Sequence, residues 1–316
     1  MSSINKISGV SFSTNVFAVD GVSKSSIGSI NGISAPSSQT DYVSTGLEFH
    51  VNANDSNSWN GTTTWTDLAG TENMTLVNGP TKPSGESYIQ FDGNDDRGEV
   101  DWATTDYFYG STSNYTMWNT LSCQAVISFD EDGSTGYVRG DAAFRFGNRY
   151  QSTTRGFQVI FDRRGASINI FYGSLMRCKW PNTSEFQYNS SRGYYEPIPG
   201  RVYSLAITMD RTKGTNNGGH FNAYLNGSQW TPSGVEGSLT QRDSTSRWDG
   251  TYINNSNVRR GRSPWYLCQN QTSSGAFTSS SNEAQVHELI MYTDELTSSE
   301  VNQNYTAYTD RYGALN

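Results

Sequence analysis

The chain is poor in charge, in cysteine, in histidine and in proline. Charged residues make up only 16% of its 316 positions, with 3 Cys, 3 His and 8 Pro. No apolar run approaches the roughly 18 residues that a membrane-spanning helix needs. Lysine is scarcer still, 5 against 17 arginines, and the net charge of −8 disfavours a partner held through phosphates, so no nucleic-acid partner is expected. The basic clusters Arg163-Arg164 and Arg259-Arg260-Gly261-Arg262 read as solvated or salt-bridged loops. Cys123, Cys178 and Cys268 are odd in number and widely spaced, two of them inside strand-like runs. They read as buried free thiols rather than a disulfide framework or a zinc site. The three histidines, at 50, 220 and 287, form no metal pair, and no G-x-S-x-G nucleophile elbow occurs. The first ten residues contain no apolar stretch of the secretory type.

What is abundant is Ser, Thr and Asn (43, 32 and 28), with 31 Gly and 19 Tyr. Polar β-formers and aromatics with few helix formers predict an all-β protein with long loops. Short strand patterns follow one another from residue 47: 47–51, 74–77, 88–92, 121–129, 142–147, 156–161, 166–173, 202–210, 220–227, 264–269 and 284–292. With no helices between them, they predict two antiparallel sheets packed face to face. Asn226-Gly227 supplies a hairpin turn. One helix closes the chain. Thr297-Ser298-Ser299-Glu300 is a capping box, Val301, Tyr305 and Tyr308 are expected on the buried face, and Gly313 can end it.

The N-terminus carries an internal repeat: Ile4 to Ser11, Val16 to Ser23 and Ile27 to Ser34 share the pattern φ-x-x-φ-[S/D/N]-G-φ-S, with φ Ile or Val, at spacings of 12 and 11 residues. Each unit reads as a short strand, a tight turn and a second short strand. Such units cannot bury an apolar edge alone. Residues 1–40 are therefore expected to be a docking arm, with Ile4, Ile7, Val16, Val19, Ile27 and Ile30 as its anchoring side chains. Residues 41–46 read as a linker and 47–316 as the sandwich.

The segments Leu47 to Ala53, Thr64 to Gly70, Val77 to Thr81 and Phe91 to Asp96, the pair Val202 to Met209 with Tyr224 to Gly227, and the closing His287 to Tyr305 together resemble the laminin G type of concanavalin A-like jelly roll. A repetitive Ile/Val-Asn/Asp-Gly leader ahead of such a domain is similar to structural proteins of tailed bacteriophages. The resemblance implies a virion surface protein, a head decoration or fibre or a tail-fibre component, assembled in the host cytoplasm and oligomeric in the particle. Its partners would be other virion proteins and a host-surface polysaccharide. The alternatives are a stand-alone carbohydrate-binding module or a polysaccharide-degrading enzyme.

The residues argue against the enzyme. The glucanases of this superfamily resemble one another in a Glu-x-Asp-x-Glu strand, and glycoside hydrolysis needs paired carboxylates. Glu99-Val100-Asp101-Trp102-Ala103 lacks the second Glu, and Gln285-Val286-His287 lacks the companion strand of the alginate lyases it resembles. A non-enzyme is expected. Aromatics in the long insertions, Tyr107, Tyr109, Trp118, Trp180, Tyr194, Tyr195 and Trp248, are the candidates for stacking on a glycan or for an interface. Asp92, Asn94 and Asp95, with Asp96 beside them, are the best oxygen-ligand cluster. They suit Ca²⁺, although an Asp/Asn-rich turn accounts for the same residues. No other cofactor is expected.

Overall fold

The computed structural model describes residues 18–19, 22–23, 29–30, 33–34, 39–70, 72–93, 95–100, 120–131, 136–138, 143–150, 155–170, 174–210, 221–230, 235–237, 265–268 and 283–315. The chain divides into two compact units, Met1–Asp41 and Tyr42–Asn316. In the first, β1 (Ala18–Val19) pairs with β2 (Val22–Ser23), and β3 (Ser29–Ile30) with β4 (Ile33–Ser34). The registers are Val19↔Val22 and Ile30↔Ile33. The second and third repeats thus each form the strand–turn–strand expected of them, in one register. The first repeat, with Ile4 and Ile7, and also Val16 of the second and Ile27 of the third, lie outside the described residues.

The second unit is an all-β, two-sheet antiparallel jelly-roll sandwich. Its strands in chain order are β5 (Leu47–Asn52), β6 (Thr64–Trp65), β7 (Met74–Val77), β8 (Ile89–Phe91), β9 (Arg97–Val100), β10 (Thr120–Ser128), β11 (Ala143–Tyr150) and β12 (Arg155–Asp162). These are followed by β13 (Gly165–Ile170), β14 (Ser174–Lys179), β15 (Phe186–Asn189), β16 (Tyr194–Pro197) and β17 (Tyr203–Asp210). The last five are β18 (Phe221–Leu225), β19 (Ser228–Gln229), β20 (Val235–Gly237), β21 (Trp265–Leu267) and β22 (Ala284–Tyr292). One sheet runs β19-β18-β17-β10-β22-β5, with β8 also on β22, and the other runs β20-β14-β13-β12-β11-β21-β9-β7-β6. β15 and β16 form a separate hairpin.

Period-two alternation builds the core. Leu121, Cys123, Ala125 and Ile127 of β10, Leu205, Ile207 and Met209 of β17, and Leu289 and Met291 of β22 face Phe144, Phe146, Val159 and Phe161 of the opposite sheet. Phe49 of β5 stacks on Phe146 across the layers, centroids 6.0 Å apart. Several outward positions of the first sheet are polar yet buried: Ser122, Gln124, Ser128, Ser204, Thr208, His50, Asn52 and Glu288. All three cysteines are free and buried. Burial pushes the Cys178 thiol up to about 11 and raises those of Cys123 and Cys268 further. Arg163-Arg164 occupies the tight turn between β12 and β13. Among the described residues, no helix is long and apolar enough to cross a membrane.

Helix α1 (Ser298–Tyr312) begins with the expected capping box and ends at Gly313. Its buried face differs from the expected one: Val301, Asn304, Ala307 and Tyr308 point to the sheet, while Tyr305 is half-buried. Tyr305 instead closes over the β18–β19 turn. Asn226 and Gly227 both adopt positive φ there (48° and 77°), and a Cβ on Gly227 would come within 2.9 Å of the Tyr305 ring. The helix therefore lies across the outer face of the first sheet, where Val301 joins Ala206, Tyr224, Ile290, Tyr292 and Leu296 in a second apolar cluster.

Candidate functional site

Of the aromatics nominated from sequence, Tyr107, Tyr109, Trp118 and Trp248 lie outside the described residues. Trp180 has no solvent contact. Its ring stacks on Phe186 at 4.8 Å and packs against Trp230 at 5.3 Å, and its Nε1 donates to the Asp162 carbonyl at 2.9 Å. A ring enclosed on both faces offers none to a ligand, so the expectation of a surface role for Trp180 is corrected to a core role.

Tyr194 and Tyr195 belong to β16, and what holds their hairpin is local. The Asn189 carbonyl accepts from the amides of Arg192 and Gly193, and its Oδ1 accepts from those of Ser191 and Arg192. Gly193 takes φ 73°, which ends the turn. Beneath it the fully buried Glu196 carboxylate accepts from Asn189 Nδ2 at 3.1 Å and from Arg192 Nη1 at 3.2 Å. Phe186 inserts into the core against Tyr203, rings 5.4 Å apart. The Tyr203 hydroxyl donates to the Glu185 carbonyl at 2.9 Å and accepts from the Ile198 amide at 2.8 Å, so both legs of the hairpin are tied to one side chain. Burial raises the Tyr203 phenol to about 12. On this base Tyr188 and Tyr195 stand opposite each other, rings 5.2 Å apart. Tyr188 is 54% exposed and, among the described residues, is the exposed large apolar side chain of the molecule. In sequence Tyr188 counts among the aromatics of the 173–200 insertion but not among the nominated contact residues. Its alternation with Phe186 on a two-stranded hairpin was the available signal.

The acidic turn after β8 brings three carboxylates together. Ligand oxygens of Asp92, Asp95 and Asp96 lie within 4.8 Å of one another, and Asn94 lies outside the described residues. Asp96 is buried and accepts from the Asp92 amide at 3.1 Å, while Asn78 Nδ2 donates to the Asp95 carbonyl at 3.0 Å. Burial raises the Asp96 carboxyl above its usual range. Aspartate side chain to backbone bonds of this kind organise a turn by themselves. The same three oxygens would suit a hard divalent ion, which would also relieve their mutual repulsion.

A third cluster was not expected from sequence. Glu288, on the outer face of β22, has no solvent contact. Its Oε1 accepts from the Tyr42 hydroxyl at 2.6 Å and Asn52 Nδ2 at 2.7 Å, and pairs with His50 Nε2 at 2.9 Å. Its buried Oε2 has no hydrogen-bond partner among the described residues. Tyr42 packs edge-on against His50 at 4.6 Å, and the Arg311 guanidinium lies 4.8 Å from the Tyr42 ring. Burial, then the neighbouring Glu288, raises the Tyr42 phenol far above its ordinary value, so it stays a donor. One residue along, a register shift in β22 leaves His287 as an extra residue. Its ring is buried, with Nδ1 3.0 Å from Ser87 Oγ, and burial lowers it to about 4, so it is neutral at pH 7.

No family model and no curated protein matches the chain. Solved structures do. The binding domain of botulinum neurotoxin DC in complex with SialylT aligns with a TM-score of 0.50 and 10% identity, over 84% of this chain and 52% of that one. The same domain with rat synaptotagmin II gives a TM-score of 0.49 and 11% identity, over 84% and 52%. Trypanosoma rangeli sialidase in complex with 2,3-difluorosialic acid gives 0.48 and 14%, over 92% of this chain and 35% of that one. The chain thus spans about a third of the sialidases it matches, 33% in another of them. At these identities the likeness is one of fold, the β-sandwich. Sialidases are enzymes, so the expectation of a non-enzyme, drawn from missing motifs, is overturned as an inference. Shared fold assigns the chain no reaction in its place.

Proposed function

We propose that the chain is a surface component of a phage particle that docks by residues 1–40 and displays a glycan-binding sandwich, with the β15–β16 hairpin as the contact. The observation that carries the glycan part is the Tyr188–Tyr195 pair. The exposed Tyr188 ring stands beside the half-buried Tyr195 on a hairpin whose base is fixed by Tyr203, Phe186 and Glu196. A flat ring with a polar tip suits the apolar face and hydroxyl rim of a sugar, and a pre-ordered support lowers the entropy lost on binding. The docking part is supported by the repeat: two hairpins of one register, 11 residues apart, offer equivalent short strands that can add to exposed sheet edges and act together by effective concentration.

Both parts are open to test. On a glycan array that includes sialylated members, the full chain should bind a defined set, and Tyr188→Ala should lose it without a change in melting temperature. Binding unchanged by Tyr188→Ala and Tyr195→Ala together would remove the hairpin from the reading. The chain without residues 1–40 should fail to co-sediment with particles lacking the native protein. Co-sedimentation equal to that of the full chain would favour a stand-alone carbohydrate-binding module.

A further inference from the structure

Residues 42–46 fall in the stretch that reads as a linker, yet their polar groups are taken up one after another. The Val43 amide donates to Asn304 Oδ1 at 2.9 Å, and the Tyr292 hydroxyl lies 3.0 Å from the Val43 carbonyl. The Leu47 amide donates to the Ser44 carbonyl at 3.3 Å and the Thr293 amide to the Gly46 carbonyl at 2.8 Å. The Tyr42 hydroxyl ends on the buried Glu288, and its ring lies beside Arg311 of α1. The Val43 side chain is 7% exposed, in the cluster with Ile290, Leu296 and Val301.

We propose that Tyr42 and Val43 form a strap that fixes the point where residues 1–41 leave the sandwich, so that a pull on the arm is borne by β22 and α1. The mechanical role rests on the anchoring reading above, whereas the strap rests on these contacts alone. A linker leaves its backbone groups to water. Here both backbone groups of Val43 are served by side chains, the amide by α1 and the carbonyl by β22, so the strap cannot lift without disturbing both elements. Lifting it would leave the Tyr292 hydroxyl and Asn304 Oδ1 only their own 3.2 Å contact and would take the Tyr42 donor from Glu288, all at buried positions, which is the costly way to break a hydrogen bond. β22 is itself a central strand, paired on both sides by β10 and β5. Tension entering at residue 42 therefore meets an interior strand before it reaches β5, the end strand that the chain enters at Leu47.

Amide hydrogen exchange on the full chain tests the strap. The Val43 amide should exchange as slowly as amides of the β10–β22 ladder, and Asn304→Ala should speed it about ten-fold or more while leaving that ladder unchanged. Should Asn304→Ala fail to fold, Tyr42→Phe removes a single hydroxyl and should speed Val43 exchange severalfold. A Val43 amide that exchanges at the rate of an unstructured peptide, or one insensitive to the folded variant, would overturn the proposal. No particle enters this measurement, so its failure is distinct from failure of the docking test.

Discussion

Replacing Glu288 with alanine takes away one buried acceptor and strands three donors at once. Tyr42 Oη, His50 Nε2 and Asn52 Nδ2 all converge on Oε1, and none of them has another acceptor in this cluster. Breaking a buried pair by deleting one partner costs about 3–5 kcal/mol. Counting the three lost hydrogen bonds separately, at about 1–1.5 kcal/mol each, leads to the same range. Glu288→Gln keeps an acceptor at Oε1 but loses the charge, and it places an amide donor where Oε2 now lies buried without a partner. It should cost less, about 1–2 kcal/mol. Urea unfolding at pH 7 separates the two. At an m-value of about 3 kcal/mol/M the alanine variant should unfold more than about 1 M earlier than wild type, with the glutamine variant between them. If alanine costs under about 1 kcal/mol, or if glutamine costs as much as alanine, the convergence on Oε1 does not hold the sheet, strap and helix together and the reasoning fails.

Three other expectations can be checked with the same protein. His287 is lowered to about 4 in the fold, against about 6.5 unfolded. The unfolded chain therefore takes up a proton first, and stability is full above about pH 6.5 and falls as the pH drops toward 4, by roughly 3 kcal/mol. Urea midpoints at pH 7 and pH 4.5 should show the loss, and His287→Phe should lose its share of that pH dependence. Thr297→Ala removes the N-cap and should cost about 1 kcal/mol in a thermal melt; an unchanged melt would mean that packing alone fixes the helix start. For the acidic turn, millimolar Ca²⁺ should raise the melting temperature, and Asp95→Ala should abolish the rise. A melt insensitive to both Ca²⁺ and EDTA would leave the three aspartates a turn.

The long strands were legible because each buries one face against the other sheet, which writes period two into the residues. β10, β17 and β22 all fall within one residue of their expected limits. The strands missed were short or lacked that alternation. β9, Arg-Gly-Glu-Val, contains a glycine because Met74 lies where a side chain would go: a Cβ on Gly98 would come within 2.3 Å of its sulfur. β15 and β16 sat in a stretch read as an aromatic insertion, because its order comes from Asn189 and Tyr203 rather than from a periodic apolar face. The helix face shifted for a related reason. Asn304 is buried since its oxygen serves Val43, and a buried asparagine is invisible to a pattern that counts apolar residues.

The Glu288 cluster was illegible for a reason that alternation itself explains. Polar residues at outward strand positions signal a solvated face when one face of a sheet is bare. Glu288, His50 and Asn52 occupy such positions, and their side chains are identical to those of a wet sheet. What makes them a cluster is that α1, distant in sequence from β5, and residues 42–43, distant from β22, are laid over that face. A buried carboxylate is tolerable only if donors are brought to it. Here they come from β5 and from the strap, 236 to 246 residues before Glu288. No local window contains two of these partners together with the acid, so neither spacing nor composition can reveal them. The tertiary cover that makes the carboxylate buried is also what selects its donors, and it places that carboxylate beside Tyr42, the first residue of the larger unit.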